Sequence, residues 1–131
     1  MKADFATLLR ESDAISIHVH LTDETEGMFS EREFAQMKPS AYLINTSRGK
    51  IVDERALLAA LEQGKIAGYA TDVLADELSF ETAGFANHPL VEYAKIHENL
   101  LIVPHTGGMT VESRAATDVF MSAAPRPKRQ P

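Results

Sequence analysis

The feature that most constrains this 131-residue chain is the alternation of two hydrophobic periods along its length. Residues 14–21, Ala-Ile-Ser-Ile-His-Val-His-Leu, alternate with period two and are rich in β-branched side chains, which predicts a strand with one well-buried face. Phe5, Leu8 and Leu9 before it fall at i, i+3 and i+4, the spacing of a short amphipathic helix ending near Glu11. After a polar turn, Ser30 precedes Glu31-Arg32-Glu33-Phe34 as an N-cap with a capping-box Glu33, and the helix is expected to run to about Met37. Lys38-Pro39-Ser40 breaks it, and residues 41–45 read as a short apolar strand buried on both faces.

The same alternation continues. Asp53 is a good N-cap for a helix whose apolar stripe is Ala56, Leu57, Ala60 and Leu61, with Gly64 closing it. Strand character resumes over residues 66–74 and again over residues 100–103, where Pro104 ends it, and Thr110 opens a last helix to about Ala123. Strands separated by helical crossovers pair in parallel, so the expected fold class is α/β, about four parallel strands with flanking helices. Residues 1–123 form one domain, since this length supports a single core, and residues 124–131, with three prolines, read as a tail.

Composition narrows the function classes. A formal net charge of -6 opposes a polyanionic partner, and the basic cluster Arg126, Lys128 and Arg129 lies in that tail, so no nucleic acid is expected. No apolar run approaches the ~18 residues that span a bilayer, and no secretory h-region follows Met1; no membrane and a cytoplasmic location are expected. The absence of cysteine removes disulfides and thiolate metal sites, and no metal centre is expected.

In an open parallel sheet, ligands bind beyond the carboxyl ends of the strands. Those positions hold His18, Val19 and His20; Thr46, Ser47, Arg48 and Gly49; residues 72–77; and His105, Thr106, Gly107 and Gly108. A cation, carboxylates and imidazoles thus fall on one edge of the sheet, around space for one small substrate.

These residues carry a resemblance. Residues 12–19, Met37-Lys38-Pro39, residues 45–54, Asp72-Val73 and Pro104-His105-Thr106-Gly107-Gly108 resemble, in order, the D-isomer-specific 2-hydroxyacid dehydrogenases, the family of phosphoglycerate dehydrogenase. The resemblance covers residues 5 to about 120 and implies the C-terminal half of a Rossmann-type, doubly wound NAD-binding domain. It implies hydride transfer between a nicotinamide and a small 2-hydroxy or 2-keto acid. In that role Arg48 would hold the substrate carboxylate and polarise its carbonyl, and His105 would be the general acid/base. Glu77 would orient His105 and favour its protonated form; Asp76 is the competing carboxylate, and Glu77 is chosen because its offset of five from Asp72 matches. Asp72 would accept from the nicotinamide carboxamide, with His18, Val19, Thr46, Ser47, Arg48, His105, Gly107 and Gly108 lining the cofactor. The glycines would permit close approach of the ring. His20, His88 and His97 match no catalytic motif.

No G-x-G-x-x-G occurs in these residues, nor the acidic residue that follows it and reads the adenine ribose, so NAD and NADP are both compatible. The chain reads as half of a domain, inactive alone, with a non-catalytic self-associating or complementing module as the alternative. In the family the first strand of this half pairs in mid-sheet with the glycine-loop half. Here it becomes an edge, with Ile15 and Ile17 expected to face water, and a homodimer or a complementing chain is the expected partner.

Overall fold

The computed structural model describes residues 3–75, 88–107 and 110–115. Asp76, Glu77, Gly108, the last helix beyond residue 115 and the tail at residues 124–131 lie outside the described residues. Four strands, β1 (Ala14–Ile17), β2 (Tyr42–Asn45), β3 (Gly68–Thr71) and β4 (Leu100–Ile102), form one parallel sheet in the order β1-β2-β3-β4. Helices α1 (Phe5–Glu11), α2 (Glu31–Phe34), α3 (Glu54–Glu62) and α4 (Pro89–Ala94) precede and connect them, with a 3₁₀ turn at Gly49–Ile51.

Local chemistry sets the helix ends. Asp4 accepts the Thr7 N–H at 2.8 Å to open α1. That backbone bond is the main cause holding its carboxyl below the usual range. The Glu33 carboxylate accepts the Ser30 N–H at 3.2 Å, the reach-back bond of a capping box, and also takes the Ser30 hydroxyl at 2.6 Å. Asp53 Oδ1 accepts from the N–H groups of Arg55 and Ala56, at 2.9 and 3.1 Å. Gly64 adopts φ +64°, and its N–H and that of Lys65 reach back to the carbonyls of Leu61 and Ala60. This is a Schellman ending, which needs the left-handed conformation that glycine adopts without a Cβ penalty.

The strand order decides where the core lies. Each crossover moves one strand in the same direction, and right-handed crossovers of that kind place every connecting helix on one face of the sheet. Ile15, Ile17, Leu43, Tyr69 and Leu100 point to that face and pack with Leu9, Phe29, Phe34, Leu57, Leu61 and Leu90. Tyr42 and Leu101 point to the other face and are 55% and 61% exposed. Strand β2 is therefore buried on one face only, which corrects the expectation that it is buried on both.

Four more expectations change. Strand β1 ends at Ile17 rather than Leu21, because the Ser47 hydroxyl caps the Ile17 carbonyl and residues 18–21 turn outward, exposed. It is an edge strand, yet Ile15 and Ile17 are buried, because the open edge leaves backbone unpaired while these side chains point down into the core. Strand β3 covers Gly68–Thr71 alone, although Ile66 and Leu74 on either side are buried. Helix α2 stops at Phe34, with residues 35–37 in a turn that still buries Met37.

Candidate active site

Ile17, Asn45, Thr71 and Ile102 lie in one row across the four strands. His18 and Asp72 are the next residues after that row on β1 and β3. Arg48 and His105 each stand three residues beyond it, in the segments that follow β2 and β4. Two strand spacings of about 5 Å separate the paths of these last two, a gap of the size of a small acid.

Side chains inside the row stitch the loops together. Asn45, fully buried, donates to the Arg48 carbonyl at 2.9 Å and accepts the Ser47 N–H at 3.0 Å, fixing the turn that carries the arginine. Ser47 donates to the Ile17 carbonyl at 2.8 Å and so ties this turn to β1. The Thr71 hydroxyl donates to the Val73 carbonyl at 2.6 Å, with the Asn45 carbonyl also in reach at 3.1 Å, and accepts the Val73 N–H at 3.1 Å. The Asp72 N–H donates to the Asn45 carbonyl at 3.1 Å and ties β3 to β2. Beneath them Tyr69 is buried, and burial pushes its phenol up to about 12, with hydrogen bonding to Thr71 and Asn45 opposing and the charge of Glu54 adding to the rise.

Gly49 follows the arginine because nothing larger fits. A Cβ there would overlap the Leu74 carbonyl and the Ala75 nitrogen, so the loop after β3 lies directly on the loop after β2. Arg48 itself is exposed, and its guanidinium donates to the Ser47 carbonyl at 2.7 Å, leaving further donors of the fork for a carboxylate. Thr46 is exposed beside it and Ser47 half-buried.

The loop after β4 is built differently. Asp72 is buried, and its oxygens accept the N–H groups of Thr106 and Gly107 at 2.7 and 2.8 Å. A Cβ on Gly107 would stand 2.8 Å from Asp72 Oδ2, so what this glycine admits in the folded chain is the aspartate. That is a reason for glycine here which the sequence did not supply. His105, exposed, has φ +51°, a left-handed conformation uncommon outside glycine and concentrated at functional sites. His18 is exposed with Nε2 2.8 Å from the Ser16 hydroxyl, and Val19 is 41% exposed.

The structure thus brings His18, Val19, Thr46, Ser47, Arg48, Asp72, His105 and Gly107 to one edge. Glu77 and Gly108 are outside the described residues. Among the histidines set aside, His97 stacks on Tyr93 with ring centroids 3.9 Å apart. His88 contacts Glu54 at 3.2 Å, a pair that the sequence reading missed. The available signal was positional: His88 precedes Pro89 at a helix start and Glu54 follows an N-cap, where carboxylates gather.

Residues 1–107 match the family model described as D-isomer specific 2-hydroxyacid dehydrogenase, NAD binding domain. The chain belongs to that family. It is 48% identical over 111 residues to a glyoxylate reductase of Thermococcus litoralis, covering 85% of this chain and 30% of that protein. Against a glyoxylate/hydroxypyruvate reductase B of Shigella boydii it is 45% identical over 112 residues, covering 85% and 32%. Among solved structures it superposes on the D-isomer specific 2-hydroxyacid dehydrogenase of Lactobacillus delbrueckii ssp. bulgaricus in its NAD-complexed form. The TM-score there is 0.80 at 36% identity, covering 96% of this chain and 42% of the other. The D-lactate dehydrogenase of Lactobacillus jensenii with NAD+ gives 0.79 at 39% identity, covering 92% and 38%. The chain therefore spans about a third of the curated relatives it matches, and its four parallel strands with flanking helices are those of a Rossmann-type half domain in an NAD-dependent oxidoreductase family.

Proposed function

We propose that these residues form the nicotinamide-facing, catalytic edge of a dehydrogenase that interconverts a small 2-keto acid and its D-2-hydroxy acid, with NAD as cofactor. The observation that carries this reading is the placement of Arg48 and His105, each three residues past one row of the sheet, both exposed and following strands separated by β3. The donor set fits the nicotinamide end of the cofactor: His18, Val19, Thr46 and Ser47 flank one side, and Gly107 backs onto Asp72 on the other. Asp72 keeps unused lone pairs on its oxygens for a carboxamide N–H. No residue here forms a phosphate-binding glycine loop, so in this reading that element comes from sequence outside these 131 residues or from a complementing chain.

The chemistry divides among few groups. When bound, the reduced nicotinamide supplies the hydride to the carbonyl carbon. Arg48 holds the substrate carboxylate with its planar fork and draws electron density toward the carbonyl oxygen. His105 donates its imidazolium proton to that oxygen, and in oxidation takes the hydroxyl proton back. Glu77 orients His105 and stabilises the imidazolium, so the proton donor is populated. The named relatives favour glyoxylate and hydroxypyruvate as first substrates to test.

The open edge of β1 supports a partner. Among the described residues no strand pairs with its outer edge, and pairing with a second copy or a complementing chain would satisfy the backbone groups there. A cytoplasmic setting accords with the family's soluble chemistry; among the described residues no helix is long and apolar enough to cross a membrane. The test grafts residues 5–107 into the corresponding region of a glyoxylate reductase and assays NADH oxidation with glyoxylate. Turnover that depends on Arg48 and His105 is expected, and a folded, inactive graft would favour a non-catalytic module.

A further inference from the structure

Glu54 stands at the first position of α3, where a carboxylate ordinarily serves the helix terminus. Asp53 already caps that terminus, and the two oxygens of Glu54 are turned elsewhere. Oε1 accepts the Ala75 N–H at 2.8 Å, and Oε2 lies 3.2 Å from His88 Nε2. His88 is the N-cap residue of α4, whose Leu90 and Tyr93 are buried, so a packed helix steadies the carboxylate. With the side chains of Glu54 and His88 21% and 10% exposed, the pair is largely withdrawn from water and weakly screened.

The N–H that Glu54 accepts belongs to the peptide between Leu74 and Ala75, and the same peptide lies on Gly49, where a Cβ would overlap it. One peptide is thus held by two residues of a single short segment: Gly49 meets its face and Glu54 takes its N–H. That segment is itself anchored. Ile51 and Val52 are buried, the Ile51 carbonyl accepts the Phe29 N–H at 3.1 Å, and the Asp53 N–H donates to the Phe29 carbonyl at 2.9 Å. The residue at its head, just before Gly49, is Arg48.

We propose that Glu54 is a positioning residue for Arg48: by holding the Leu74–Ala75 peptide against Gly49, it closes the loop after β3 onto the arginine turn and fixes where the guanidinium stands. The inference rests on the role given to Arg48 above. Asn45 holds the turn from within the core, through its bonds to the Arg48 carbonyl and the Ser47 N–H. Glu54 completes the hold from the side of β3. Because its bond is a carboxylate accepting a backbone N–H, it is stronger than a neutral one and directs the peptide as well as retaining it.

The test uses the 131-residue chain, labelled with ¹⁵N, as the parent, E54A, E54D and E54Q. E54Q removes the charge and keeps an acceptor for Ala75, E54A removes both, and E54D withdraws the carboxylate by one methylene. In E54A and E54D the Ala75 amide should lose about tenfold or more of its exchange protection, while Leu43 and Leu57 in the core keep theirs. The Gly49 amide and Arg48 Nε signals should move with it. In E54Q the Ala75 protection should stay, Gly49 and Arg48 should keep the parent's signals, and the ring ¹⁵N signals of His88 should shift. If E54A does not fold, E54D supplies the same readings. Unchanged Ala75 exchange in E54D overturns the hold on the peptide. Loss of that protection with Gly49 and Arg48 unmoved overturns the positioning role. Equal movement of Arg48 in E54Q and E54D overturns it too, since charge and not placement would then be the cause. These readings follow placement and not turnover. Unchanged kinetics of an Arg48→Ala graft would instead sink the role of Arg48 on which the inference rests, an outcome distinct from all of these.

Discussion

The loops bearing Arg48 and His105 leave the same sheet at the same distance from the same row, and they are held by opposite means. The arginine turn is set into the core: fully buried Asn45 bonds it twice, Ser47 ties it to β1, and Gly49 lets the loop after β3 lie against its backbone. The histidine loop is exposed from Val103 to Gly107, has a left-handed residue at its centre, and is tied to the core by the Asp72 carboxylate. A group that must hold a carboxylate in fixed register gains from a rigid mount. A group that must move a proton gains from orientation with access to substrate, and one buried carboxylate gripping two N–H groups provides it.

Breaking the rigid side should have the larger effect. Gly49→Ala forces a methyl group into backbone that cannot yield as a side chain would, and overpacking of this kind costs about 3 kcal/mol or more. Chemical denaturation should show a lowered midpoint, and the amides of residues 74 and 75 should shift most. A variant as stable as the parent would mean that the loops after β2 and β3 are not in contact.

On the histidine side, Asp72→Ala leaves two N–H groups without their charged acceptor, at about 1.5–3 kcal/mol. The loss should be local. Amide exchange at Thr106 and Gly107 should rise sharply while that of Asn45 and Ser47 stays close to the parent's; equal loss in both loops would erase the contrast between them.

A smaller effect sharpens the picture of the rigid side. Tyr69 lies beneath it with its phenol pushed up from 10.0 to about 12 by burial. Below pH 10 the phenol is protonated in both folded and unfolded chains and contributes nothing to pH dependence. Between 10 and about 12 only the unfolded chain ionises, so stability should fall by up to about 1.4 kcal/mol per pH unit. Absorbance at the phenolate band should show the Tyr69 phenol titrating well above 10, together with alkaline unfolding. A Tyr69 phenol that titrates near 10 in the folded chain would show that this side is open to water.

How much of this was legible in the sequence depends on how far apart the interacting residues are. Ser30 with Glu33, Asp53 with its helix, and Gly64 at the Schellman ending were readable because each device closes within five residues. Parallel pairing also followed, since crossovers of helical length leave it as the economical choice. Strand ends did not: β1 stops where Ser47, thirty residues on, caps Ile17, and no local pattern announces it. The resemblance pointed to Arg48, Asp72 and His105, but the bonds of Asp72 to Thr106 and Gly107 escaped the sequence because they span 34 and 35 residues. Glu54 and His88 escaped for the same reason, each looking ordinary until folding put them 3.2 Å apart.

The central claim is that Arg48 and His105 are one catalytic pair on two differently built loops. Steady-state kinetics of the glyoxylate reductase graft, parent against His105→Ala and Arg48→Ala, test it most directly. His105→Ala should lower kcat by about 10²- to 10⁴-fold with little change in KM, and Arg48→Ala should lower kcat and raise KM together. Full turnover without His105, or a His105 effect confined to KM, would contradict the account.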